Sequence, residues 1–265
     1  MAVHPSARIH PSAIVEDGAE IAEGCEIGPF VVIGPHVSLG AGCIVKSHAV
    51  VTGRTRLGPG CTVFSFACVG EVPQDLKYRG EDTALIVGAR CRIREGATLN
   101  IGTEGGGGLT RVGDDCLFMT GAHVGHDAQV GDRVILANQA ALAGHCVIGD
   151  DVIVGGLSGV HQFVRVGKGA IIGAVTMVTH DVIPHALVQG PRGEVDGLNL
   201  VGLKRRGVPR EEIAALRAAY QDLASGDGAL LERAARILTA ASTPHVREMA
   251  EFILGQSDRS FLRPK

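Results

Sequence analysis

Aliphatic side chains return every six residues along most of this chain. They stand at positions 9, 15, 21, 27, 33, 39, 45, 51, 57, 63 and 69, resume in register at Val87, Ile93 and Leu99, and after a one-residue shift run from Val112 to Val178. Of these twenty-six positions only Phe118 is aromatic. Four residues further on, a small side chain recurs, as at Ala19, Cys25, Ala122 and Ser158; one residue further on, glycine fills thirteen of the slots. A six-residue period is too short for a helical repeat and is a signature of parallel β-helices. Each hexad is then a short strand plus a corner, and three hexads make one triangular coil. The aliphatic residue fills the interior and the small one fits where the prism narrows. The glycines are expected to supply backbone conformations closed to other residues.

The pattern breaks twice and then ends. Gly70 to Leu85, with Pro73, Tyr78 and paired charges, predicts a loop thrown out from the prism. The segment TEGGGGLT, residues 103–110, predicts a second, flexible loop; its glycines suggest a phosphate cradle, but no P-loop Lys-Ser/Thr follows and no helix opens there. The hexads stop at Ile183-Pro184, and from Asn199 the spacing turns helical. Gly207 closes one helical segment, Pro209 opens the next, and two amphipathic stretches follow. Residues 1–190 are therefore expected to form the prism and 191–265 a domain of three or four helices that caps its open end.

Composition agrees with a stacked aliphatic core: 265 residues include 38 Gly, no Trp and only 3% aromatics. A net charge of -3 gives no reason to expect nucleic acid as a partner, and neither a membrane-length apolar run nor a signal-peptide pattern is present. The expectation is a soluble, cytoplasmic protein without stable membrane insertion. Six of the seven cysteines, at 25, 43, 61, 91, 116 and 146, fall on the small slot, which reads as core filler; Cys68 lies off it. No paired CxxC exists, which argues against a zinc ribbon.

Eleven histidines are present, and His123, His126, His145 and His161 gather in three consecutive coils. The hexads beginning at Val124, Leu142 and Val160 stack in register, so His126, His145 and His161 are expected on one face, with His123 at the corner leading into it. None of the four occupies an inward slot. Asp127, next to His126, could orient an imidazole for general-base work. Three histidines from neighbouring coils could equally bind Zn²⁺ with an open position. Surface histidines on a noncatalytic scaffold are the third reading.

The segment MTGAHVGHDAQVGDRVILANQAALAGHCVIGDDVIVGGLSGVHQFVRVG, the loop PQDLKYRG, the segment GGGLT and the tail motif GLNLVGLKRRG together resemble the UDP-N-acetylglucosamine 3-O-acyltransferases, a family of hexapeptide-repeat acyltransferases. The likeness runs from the first hexads into the helices. It implies a left-handed parallel β-helix, an exception to the right-handed crossover rule, and a C-terminal α-helical domain. The implied reaction moves a 3-hydroxyacyl chain from acyl carrier protein to the 3-hydroxyl of UDP-N-acetylglucosamine, the first step of lipid A biosynthesis, with no cofactor and no metal. Hexads begin by residue 9, so the extra N-terminal domain of the sister N-acyltransferase is not expected here.

By position in the motifs, the resemblance makes His126 the base, Asp127 its support and the Gly144 N–H the oxyanion donor. Asp75, Lys77, His123, His145, His161 and Gln162 would surround the glucosamine, and Asn199 and Arg205 the uridine diphosphate. Gly173 and Ala174 would limit the acyl chain, and the small Ala174 implies a medium-to-long one. The family's prisms are homotrimers with sites between subunits, and Arg165, Lys168, Lys204 and Arg206 are candidates for docking acidic carrier protein. Val201 and Asn100-Ile101 depart from the common family pattern, which raises an alternative acceptor with a 3-amino group.

Overall fold

The computed structural model describes residues 2–257 and 259–263. Short parallel strands, most of two residues, lie in three sheets of nine, eleven and nine strands that form the three faces of a prism. The chain visits the faces in a fixed rotation, so each strand pairs with the strand one coil away. Leu99, Val124, Leu142 and Val160 are in direct register, as the hexad spacing requires. The repeated aliphatics and the small slots are nearly all buried, Phe118 among them. Five cysteines, 25, 43, 61, 91 and 116, share one interior corner, and all seven are free thiols. Burial pushes the Cys146 thiol up to about 12, so it is an inert hydrophobe at neutral pH.

The glycine expectation needs correction. The glycines one residue after the aliphatic position have ordinary φ, with Gly70 the exception. They are small because the next coil lies against them: a Cβ on Gly40 would sit 2.7 Å from Pro59 N, and one on Gly125 2.8 Å from Gly144 N. The left-handed residue comes two positions later, where Phe30, His48, Phe66, Asp127, His145 and Phe163 all have φ between 56° and 64°. Most residue types adopt this conformation at a cost of about 1 kcal/mol. Most corners place a left-handed residue two positions after the slot, and in the thirteen corners where the slot holds glycine a neighbouring coil leaves little room for a Cβ.

The third face yields to the first at one corner of the prism, and both breaks in the repeat emerge there. The first loop departs after the strand Cys68–Glu71 and returns at Ala84–Val87. Its base is pinned by Asn100, whose Nδ2 donates to the carbonyls of Glu71 and Val72. The second contains a 3₁₀ turn at Glu104–Gly106. It is an ordered cover whose contacts are described below, which corrects the flexible reading.

The boundary expected at 190 falls inside a hairpin. Ala186–Gln189 and Glu194–Leu198 pair antiparallel and extend the second face. Four helices follow: α1 Leu200–Arg205, α2 Arg210–Ser225, α3 Leu230–Ala240 and α4 Pro244–Leu254. Asn199 caps α1 by accepting from Gly202 N, while Thr243 caps α4, which has Pro244 in its first turn.

The helices are tied to the last coil through fully buried His185, whose Nε2 lies 3.4 Å from Glu248 of α4. Beside it His245 Nδ1 is 2.7 Å from Glu212, Lys168 Nζ is 3.9 Å from Glu248, and Arg206 Nη2 is 3.5 Å from His185 Nδ1. Burial holds the His185 pKa below its ordinary 6.5 despite Glu248. The unfolded chain therefore binds more protons as pH falls through about 6.5, and stability is lost in that direction. The Glu212 and Glu248 carboxyls also lie below their ordinary 4.5, the former through its bond from His245, the latter through His185 against the opposing effect of burial. Their contribution is present above about 4.5 and lost below it. The melting temperature is expected to fall steadily from pH 7.5 to 5, and His185→Gln to flatten the upper part of that fall; an unchanged calorimetric profile would count against the assignment.

Candidate active site at one corner of the prism

His126, His145 and His161 all lie in the turns that carry the chain from the third face to the first. They share a corner rather than a flat face, and His123 is reversed from expectation: it sits in a strand of the third face, His123–Val124. The strict register brings Asp127, His145 and Phe163 into one left-handed column. The His145 ring stacks on Phe163 with centroids 4.4 Å apart and meets the His126 ring edge-on at 5.0 Å.

Asp127 is the buried anchor of this corner, 4% exposed. Its Oδ1 accepts from Thr103 N at 2.8 Å, and its Oδ2 accepts from Thr103 Oγ1 at 2.6 Å and from His126 Nδ1 at 2.7 Å. Its backbone N–H donates to the buried Thr110 hydroxyl. A carboxylate only accepts, so His126 carries its proton on Nδ1, and in the neutral ring Nε2 is left with a free lone pair. Glycine is required around the carboxylate: a Cβ on Gly106 would overlap it, and one on Gly102 would lie 2.9 Å from Oδ1.

Gly144 packs against the other side of the His126 ring, where a Cβ would fall 2.6 Å from both Cε1 and Nε2. Among the described residues its N–H donates to no backbone acceptor. His123 Nδ1 is 2.8 Å from Thr98 Oγ1. Burial lowers the proton affinity of His123, as does nearby His126; burial also lowers that of His145, against the pull of Asp127 and of Asp75 in the excursion loop. Both rings are neutral hydrogen-bonding groups at physiological pH. Lys77 N donates to Asp75 Oδ1 within that loop.

Asn199 and Arg205 lie elsewhere, in a groove of about 240 Å³ with Arg133, Ile135 and Ile153, beside the corner joining the first face to the second. Both amide atoms of Asn199 are engaged: Oδ1 caps α1 and Nδ2 donates to Gly169 O. Gly173 and Ala174 occupy the remaining corner, between the second face and the third. Arg165 is committed to buried Asp181 and stacked over Phe252, which removes it from the docking candidates.

His126, Asp127 and His145 present ligand atoms within 4.8 Å of one another, a set that could hold a metal ion. Both Asp127 oxygens already accept hydrogen bonds, three in all, one of them from His126 Nδ1. Thr103, which holds Asp127 through its N–H and its hydroxyl, is the residue of this corner that the sequence concealed. It stands on the small slot after Leu99 and reads as core filler; the glycines flanking its loop were its only signal.

Comparison with known proteins agrees with the geometry. Residues 181–262 match the family model described as UDP N-acetylglucosamine O-acyltransferase, domain 2, and residues 18–53 and 109–144 match the bacterial transferase hexapeptide. The chain is 65% identical over 201 residues to the acyl-[acyl-carrier-protein]–UDP-N-acetylglucosamine O-acyltransferase of Paracoccus denitrificans, covering 76% of each chain. It is 50% identical over 230 residues to that of Rhizobium etli, covering 86% of this chain and 85% of the relative. The solved UDP-N-acetylglucosamine acyltransferase of Campylobacter jejuni superposes with a TM-score of 0.92 at 36% identity, over 97% of this chain and 100% of that one. The Francisella novicida enzyme gives 0.87 at 34% identity, over 98% and 94%. The fold is thus the left-handed parallel β-helix with a C-terminal helical domain. From the hexads, the histidine corner and these relatives together, the chain belongs to the acyl-[acyl-carrier-protein]–UDP-N-acetylglucosamine O-acyltransferase family.

Proposed function

We propose that His126 is the general base through which this chain performs its family's reaction, acyl transfer from acyl carrier protein to an oxygen of UDP-N-acetylglucosamine at the entry to lipid A biosynthesis. The observation that carries this is the 2.7 Å bond from His126 Nδ1 to Asp127, which leaves Nε2 free as a base. An alcohol is a weak nucleophile at neutral pH. Nε2 takes the proton of the sugar 3-hydroxyl as its oxygen attacks the thioester carbonyl. The Gly144 N–H donates to the resulting oxyanion, and Asp127 stabilises the imidazolium. Collapse expels the carrier thiolate, which recovers the proton from Nε2. The donor arrives activated, so no cofactor or metal enters this scheme. Transfer from 3-hydroxyacyl carrier protein by the parent and by His126→Ala tests it.

Asp75, Lys77, His123, His145, His161 and Gln162 border the same corner and are assigned to the sugar. The groove with Asn199 and Arg205 opens by a different corner, so one substrate can meet both sets only between copies of the chain. We therefore assign a homotrimer in which Arg205 of a neighbouring copy takes the diphosphate, with Asn199 fixing the helix that carries it. Lys168, Lys204 and Arg206 remain as the basic face for acidic carrier protein. No helix among the described residues is long and apolar enough to cross a membrane, and we place the reaction in the cytoplasm.

Ala174 lies three coils beyond His123, roughly 14 Å along the prism. We assign it as the stop for the acyl chain. Ala174→Met is expected to move the preferred donor to a shorter chain, measured by competition between hydroxyacyl carrier proteins; an unchanged preference would reject the assignment.

A further inference from the structure

The C-terminal segment folds back onto the prism and reaches the catalytic corner. Its attachment is built around Asp181, which is fully buried. Asp181 Oδ1 accepts from Arg165 N, and Oδ2 accepts from Arg165 Nε at 2.7 Å and from Ser257 Oγ at 2.6 Å. Its backbone pairs with the segment on both sides, donating to Ser260 O and accepting from Leu262 N, each at 2.9 Å. Phe261 packs against the core, near Phe252 and the Arg165 guanidinium. Ser257 Oγ also accepts from Arg259 N at 3.0 Å.

This anchoring delivers the Arg259 side chain to residues ninety-eight and ninety-seven positions earlier in the chain. Its Nη2 is 3.0 Å from His161 Nδ1 and 3.1 Å from Gln162 O. One nitrogen has two hydrogens, so a single Nη2 serves both contacts. His161 Nδ1 also lies 3.3 Å from Gln162 O, but its shorter contact is to Nη2, which already supplies that carbonyl with a proton; a guanidinium can only donate, so His161 Nδ1 is the acceptor. The proton of the neutral ring is then on Nε2, the tautomer opposite to that of His126. The carboxylate of Asp127 makes one histidine of the corner a base at Nε2, and a guanidinium makes another a donor at Nε2.

We propose that Arg259 is a positioning residue of the active site, which holds His161 as a neutral Nε2–H donor toward a carbonyl or hydroxyl oxygen of the sugar nucleotide. This rests on the assignment of His161 to the sugar. Arg259 acts through His161 and through the turn at Gln162, and fixes two substrate contacts at once without itself touching the reacting atoms.

The test is kinetic and spectroscopic, on the full-length protein. Arg259→Ala is expected to raise KM for UDP-N-acetylglucosamine about tenfold, the scale of a lost charged hydrogen bond, with kcat and the melting temperature nearly unchanged. Arg259→Lys, which retains a donor cation, should recover part of the loss. In a His161→Ala background, Arg259→Ala should cost clearly less than in the parent, only the share that acts through Gln162. The ¹⁵N spectrum of histidine-labelled protein, with the His161 signals identified by their loss in His161→Ala, should show Nε2 protonated and Nδ1 bare. A His161 ring protonated on Nδ1, an unchanged KM in Arg259→Ala, or full additivity with His161→Ala would each overturn the proposal. If His161→Ala itself leaves KM unaltered while the tautomer is as described, the sugar assignment fails and the Arg259 contact is structural only.

Discussion

Replacing His126 with alanine lowers kcat for acyl transfer by about three orders of magnitude, the scale of a removed general base, while KM for either substrate moves little. The ring lies at a corner, outside the stacked interior, so its loss leaves the hexad core intact and the melting temperature close to that of the parent. Two features make the effect large. Nε2 is the free nitrogen of a ring whose other nitrogen is tied to Asp127 at 2.7 Å, and Asp127 is itself held by two bonds from Thr103. The neighbouring imidazoles cannot substitute: His123 is turned to Thr98, and His145 is stacked on Phe163. Turnover retained by a folded His126→Ala would remove the base from this corner and return the zinc and scaffold readings to the front.

Gly144→Ala is expected to lower kcat by about a hundredfold to a thousandfold, through displacement of the base and crowding of the oxyanion. A Cβ there would fall 2.6 Å from two atoms of the His126 ring, closer than real Cβ atoms approach. The ring must swing away, and its bond to Asp127 is strained or broken. The same methyl crowds the space in which the oxyanion meets the Gly144 N–H. Because the obstacle is a side chain, the fold gives way locally. The neighbouring Gly125→Ala differs: its Cβ would meet Gly144 N at 2.8 Å and the carbonyl carbon of Ala143 at 2.9 Å. That collision is with backbone, so Gly125→Ala is expected to lower the melting temperature by several degrees. Equal activity of Gly144→Ala and parent would show that the His126 ring need not occupy the position against Gly144 to act as the base.

Much of this was legible in the hexads. Period six places Val124, Leu142 and Val160 above one another, and the structure pairs them in that register. The six cysteines on the small slot are buried as expected. The role of the slot glycines was misjudged, because sequence spacing does not distinguish a residue kept small by a neighbouring coil from one chosen for its φ. The flexible reading of TEGGGGLT failed for a related reason: its glycines make room for the Asp127 carboxylate, a partner outside the segment. Thr103 was hidden by lying on a slot where threonine is ordinary filler, and Arg259 by its distance along the chain.

The repeat by itself determined the prism, its interior and the coil in which each histidine stands, because a parallel stack converts a count of residues directly into position. Only the tertiary structure shows that these histidines meet at the corner where both breaks emerge, and which group faces each ring, the Asp127 carboxylate at His126 and the Arg259 guanidinium at His161. Those depend on where the breaks in the repeat and the C-terminal segment return, and on whether a carboxylate or a guanidinium meets the ring. Such contacts join residues whose separation follows no period: Thr103 to Asp127, His161 to Arg259.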